Sequence, residues 1–103
     1  MYRLVFAFIV LFITACGTAK IATPKEADAL RGAQKFPGYT LADLQKGHML
    51  YKENCGKCHG LKSPRALDEA GWRKIVPPMA KKAKIDAPTE DAILKYVVTM
   101  SGK

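Results

Sequence analysis

Five consecutive residues, Cys55-Gly56-Lys57-Cys58-His59, constrain this chain more than anything else in its 103 positions. Two cysteines separated by two residues and followed at once by a histidine form the C-x-x-C-H run of covalent c-type haem attachment. The chemistry requires that spacing. Two thiols three positions apart reach the two vinyl groups of one porphyrin from a single helical turn, and the next residue is set under the iron with an imidazole nitrogen to offer. A bare C-x-x-C is shared by zinc, thiol–disulfide and haem chemistry. The adjoining histidine sets the haem reading above a redox dithiol or a chance match. Cys55, Cys58 and His59 are thus the first cofactor-binding candidates, with His59 as the proximal iron ligand.

The amino terminus points to export. Met1-Tyr2-Arg3 is followed by an unbroken apolar run from Leu4 to Ile13. Ten apolar residues are too few to span a bilayer as a helix, which needs roughly 20, but they suit the h-region of a signal peptide. Ile13-Thr14-Ala15-Cys16 then resembles the lipobox of bacterial lipoproteins, in which the cysteine is acylated and becomes the first mature residue. The alternative is an ordinary secretory signal with an incidental cysteine. The expected organisation is a lipoprotein signal over 1–15, a lipidated tether and short helix over 16–39, and a folded domain over 40–103. The chain's three cysteines are then all used, Cys16 for lipid and two for haem, with none left for a disulfide.

A folded domain of this size is marginal on burial alone, and such domains commonly need a metal, a disulfide or another staple. A buried haem supplies one, so the apoprotein is expected to show little fixed tertiary structure. The formal net charge of +8 falls by one if Arg3 leaves with the signal. A basic balance fits nucleic acid, anionic lipid or an acidic protein. Export and the lack of a nucleic-acid motif disfavour the first; solvated lysines serving solubility remain the plain alternative.

Along the chain, Thr23-Pro24-Lys25-Glu26 reads as a helix start with Thr23 as N-cap and Glu26 closing a capping box. The helix runs to about Gln34 with a thin apolar face, Ala27 and Leu30, and Pro37-Gly38 ends the segment. Thr40 opens a second helix with Asp43 at its third position, and Leu44, Gly47, Tyr51 and Asn54 or Cys55 share one face. A glycine inside a helix costs on the order of 1 kcal/mol against alanine, which points to close approach of another helix at Gly47. Asp86 caps a last helix from about Ala87 to Met100, with Ile93, Tyr96, Val97 and Met100 as its buried stripe. No alternating apolar–polar run is bounded by turns, so no sheet is expected.

Gly47 and Tyr51 ahead of C-x-x-C-H, with Ile93 and Tyr96 three apart near the carboxyl end, resemble class I (monohaem) cytochrome c in a compact lipoprotein form. The resemblance covers about Thr40 to Lys103. It implies an all-α domain of three to five helices around one covalent haem c, the first and last helices crossing where the glycine admits side chains of the last. It also implies haem ligation outside the cytoplasmic membrane, in agreement with the export signal.

Methionine is that family's usual sixth ligand, and three follow the signal: Met49, Met79 and Met100. Met49 shares the helix of Cys55, and Met100 continues the last helix's apolar stripe. Met79 lies 20 residues past His59, ample chain to round a haem edge at roughly 3.3 Å per extended residue. Pro77-Pro78 are expected to stop the preceding helix and hold a stiff, extended approach to it. Met79 is the preferred ligand, ahead of Met100, His48 or none; His48 reads as a surface or interface histidine. The gap from His59 to Met79 is short for class I proteins, and resembles a compact variety in which a tryptophan helix leads to the ligand. Trp72 is expected to pack on the haem or to bond a propionate through its indole N–H, a core aromatic being the plain reading. By resemblance, the Pro64 carbonyl would accept from the other nitrogen of His59 and fix its ring. Lys81, Lys82 and Lys84 either ring the haem edge for an acidic partner or form a solvated helix face.

A His/Met-ligated haem has no open position, which favours electron transfer over substrate chemistry. The expectation is a non-enzymatic single-electron carrier, lipid-anchored on the periplasmic side of a bacterial membrane, visiting acidic redox proteins and no nucleic acid. Its rivals are a haem sensor or small haem enzyme with an open iron, and a relay subunit of a larger oxidoreductase.

Overall fold

A computed structural model of the chain describes residues 21–56 and 60–103. Cys16, Cys58 and His59, and with them the signal and lipobox, lie outside the described residues. Those described form four α-helices, α1 (Glu26–Lys35), α2 (Leu41–Cys55), α3 (Glu69–Ala83) and α4 (Ala87–Ser101), with a short 3₁₀ turn at Pro64–Ala66 and no strand. The fold is all-α. No helix among the described residues is long and apolar enough to cross a membrane.

Local hydrogen bonds fix where α2 and α4 begin. The Asp43 N–H donates to the Thr40 hydroxyl at 3.2 Å, and the Thr40 N–H donates to the Asp43 carboxylate at 3.0 Å. This reciprocal box satisfies two of the amides that a helix start leaves without partners. The Thr89 N–H donates to Asp86 at 2.9 Å in the same way, and Gly102 ends α4 with φ at +66°, a conformation glycine takes freely.

The two helices meet at Gly47. A Cβ there would sit 2.6 Å from the Ala92 carbonyl oxygen and 2.7 Å from Tyr96 Cβ. Only a hydrogen fits, so the backbones of α2 and α4 touch. Tyr96 is fully buried at this contact, its ring centroid 5.6 Å from Tyr51 and 5.2 Å from His48. Ile93, Tyr96 and Val97 are buried at the expected spacing, joined by Val98 and Thr99, while Met100 is half-buried.

The first helix departs from expectation twice. It starts after Lys25 rather than Thr23, because Asp28 rather than Glu26 accepts from the cap: the Lys25 N–H donates to its carboxylate at 2.9 Å. Arg31 holds that carboxylate in place at 2.9 Å while also donating twice to the Thr99 carbonyl, at 3.2 and 3.0 Å. The buried face is accordingly Ala29 and Gly32, and Leu30 is 65% exposed. A Cβ on Gly32 would meet the Tyr39 ring at 2.7 Å and the Thr99 side chain at 2.9 Å. Segment 16–39 therefore includes a helix docked on α4, and Arg31 serves the carbonyl end of α4, whose own last turn has no basic residue.

The expectation that Pro77-Pro78 end a helix is wrong. Both lie inside α3, which runs on past Met79 to Ala83. Their missing N–H groups cost the carbonyls of Arg73 and Lys74 their helical partners. All four residues are exposed, so water can take those bonds. The opposite face keeps the helix seated through buried Trp72, Val76 and Ala80.

Candidate haem site

Carrying α3 through the prolines is what builds the site. On an unbroken helix, Trp72, Val76, Met79 or Ala80, and Ala83 recur at three- and four-residue steps and face one way. With Tyr51, Asn54 and Cys55 from the end of α2, and Ile85 and Ile93, they line a cavity of about 300 Å³. The volume lies in the range of ligand sites, and the wall is predominantly aromatic and aliphatic, as such sites usually are. Lys82 stands at the cavity; Lys81 and Lys84 are exposed.

Of the sequence candidates, Cys55, Trp72 and Met79 come together here. Cys55 is half-buried, and burial pushes its thiol above the ordinary value. Met79 is the only methionine among the described residues to line this cavity. Met49 is 52% exposed, and Met100 borders a different cleft beside Pro64. His48 packs against Tyr96 in the helix crossing, away from the cavity wall.

Trp72 is 1% exposed and stands edge-on to Tyr51, ring centroids 6.1 Å apart. It is a core aromatic that also lines the cavity, and its indole N–H, for which a propionate is one expected partner, donates to the Pro64 carbonyl at 2.7 Å. Pro64 thus has a buried donor already, with a second lone pair remaining. The Tyr51 hydroxyl donates to the Lys62 carbonyl. Two side chains on the cavity wall therefore hold two carbonyls of the segment that follows C-x-x-C-H. Sequence reading missed the Tyr51 hydroxyl bond, since it joins residues of different elements. The apolar wall of α3 was accessible by continuing helical spacing across Pro77-Pro78.

This set of residues suits haem. An apolar slot, a motif cysteine at its edge and a thioether sulfur on the facing helix match the chemistry of a covalently held porphyrin. The dihaem cytochrome c family model matches residues 51–103. The chain belongs to this family and is a c-type cytochrome, with haem c as cofactor and electron transfer as its work. No curated protein and no solved structure matches the chain significantly. The family's description corrects the monohaem class I assignment: it names two haems. The reason for the difference is physical. C-x-x-C-H and a glycine at a helix crossing are features of a single haem-binding unit, and they carry no information on how many haems a family's proteins hold.

Proposed function

We propose that this chain is a lipid-anchored periplasmic cytochrome in which Cys55 and Cys58 would hold one haem c, and His59 and Met79 would supply the nitrogen and sulfur donors to its iron. It passes single electrons between redox proteins and catalyses no reaction of its own. The observation that carries this reading is the shared cavity of Cys55 and Met79. Haem bound there supplies one reversible electron on its iron. The protein's part is to exclude water with Trp72, Val76 and Ile93, to fix the loop after the motif with Tyr51 and Trp72, and to present sulfur from α3. A thioether ligand raises the reduction potential relative to stronger donors.

The motif count supports one haem on these 103 residues: a second attached in the same way needs a second C-x-x-C-H, and they contain one. The family's two-haem description favours a second reading, in which this haem is one relay of a larger oxidoreductase whose other haem sits on a partner. Co-purification after mild solubilisation separates the two. For the ligand, absorption spectra of wild type, Met79→Ala and Met100→Ala are decisive. The methionine–iron charge-transfer band should vanish in the first variant and persist in the second. Ready carbon monoxide binding by wild type without denaturant would instead indicate an open iron and a sensor or enzyme.

A further inference from the structure

A second concavity, of about 590 Å³, lies between the start of α1 and the 3₁₀ turn, and shares no lining residue with the haem cavity. Its rim carries Lys25, Arg31 and Arg65 against a single carboxylate, Asp28. Asp28 is already engaged by Arg31 and the Lys25 amide. Neither the Lys25 ammonium nor the Arg65 guanidinium has an ion-pair partner among the described residues. Tyr96, fully buried, forms part of the floor, and its hydroxyl has no hydrogen-bond partner among the described residues. Two free cations around a concave, partly polar floor make a receptor for a monoanionic or dianionic oxygen group.

The route of the chain says which anion is at hand. Ile21 borders the same cleft, and it follows Cys16 by five residues. Extended chain covers at most roughly 18 Å over that distance. If Cys16 carries lipid, as proposed above, the cleft cannot leave the neighbourhood of the headgroup layer. We propose that this cleft binds the phosphate of an anionic phospholipid headgroup, so that the chain rests on the membrane by its α1 face. The haem cavity, lined by other residues, then stays open to redox partners.

The test uses acylated holoprotein in nanodiscs of phosphatidylcholine alone or with phosphatidylglycerol. Phenylglyoxal modification of Arg65 is followed by mass spectrometry, with Arg73 on α3, 48% exposed at its side chain, as internal reference. Each basic group near an anionic surface strengthens association about fivefold. Arg65 should therefore be modified about fivefold more slowly in the anionic discs, Arg73 at an unchanged rate, and Lys25→Gln should reduce the protection. Equal Arg65 rates in both discs overturn the proposal. So does equal protection by inorganic phosphate over phosphatidylcholine, which would make the ligand a soluble anion. The intact mass reports the acyl group separately. If it is missing, the anchor reading fails on its own, and flotation of the same holoprotein with vesicles of the two compositions decides the cleft, equal partition overturning it.

Discussion

Where α2 crosses α4, an added methyl at Gly47 would meet backbone and side chain within 2.7 Å, whereas one turn further along α2, Tyr51 and then Cys55 border an opening of about 300 Å³. The same helix thus serves two kinds of packing. At Gly47 the two backbones leave no room for even a methyl group, the close packing that folded interiors normally show. Along α3, apolar side chains face a gap that the other described residues do not close, and surface of that kind is stabilised when something apolar covers it. The contrast shows α2 packed directly on α4 at Gly47, while the end of α2, Ile93 of α4 and the apolar face of α3 wall a space suited to a group that is not protein.

The largest expected effect is at the α2–α4 contact. Gly47→Val forces a branched Cβ against the Ala92 carbonyl and Tyr96, and should lower holoprotein stability by about 3 kcal/mol or more in urea unfolding. Tolerance of valine would show that the crossing can separate, and the contrast with α3 would weaken. Next is the hinge between the regions. Trp72→Phe keeps an aromatic ring but leaves the buried Pro64 carbonyl without its donor, a loss of about 2 kcal/mol. Tyr51→Phe, which removes only the bond to Lys62, should cost less, about 1 kcal/mol. If both leave the urea midpoint unchanged, the loop after the motif is held by other means.

What sequence alone revealed divides along the same line. Thr40 with Asp43, and Asp86, were readable because a cap is completed within three residues. The stripe Ile93, Tyr96, Val97 and the meaning of Gly47 were readable because helical spacing and the cost of glycine are local properties. The start of α1 was displaced by two residues because a distant group, the Thr99 carbonyl, anchors Arg31 and through it Asp28. The extent of α3 is not legible locally, because proline's penalty points to an end at Pro77, whereas buried Trp72, Val76 and Ala80 on its other face outweigh that penalty. Met79 lines the cavity, but the extended approach expected for it does not exist. Its place at the cavity comes from helical register with Trp72 and Val76. The Trp72–Pro64 bond was not legible, since nothing in the order of residues tells which carbonyl an indole will meet.

Met79→Leu removes the sulfur from α3 with little change in packing, because leucine and methionine are close in size. Helix content and urea midpoint should shift only slightly, while the methionine–iron band disappears. Retention of that band in the leucine variant would remove Met79 from the iron and leave α3 as wall alone.

The smallest effect lies at the crossing and is read by pH. Burial first, and the positive charge of Lys52 second, hold the His48 imidazole below its ordinary value of 6.5. Its Nε2 is buried without a hydrogen-bond partner among the described residues, and its ring lies against Tyr96. Unfolding frees the ring to take a proton near pH 6.5, so between the folded value and 6.5 the unfolded chain binds more protons than the folded one. Stability therefore rises with pH through that window and is fully present above it; on acidification it falls until the folded ring is protonated too. His48→Asn should flatten this part of the stability profile and leave the acid limb from carboxylates such as Asp43, held low by its bonds to Thr40, in place. If wild type and variant keep the same slope from pH 7 to pH 5, the imidazole is not confined at the crossing, and α2 and α4 are less tightly joined there than the contact at Gly47 implies.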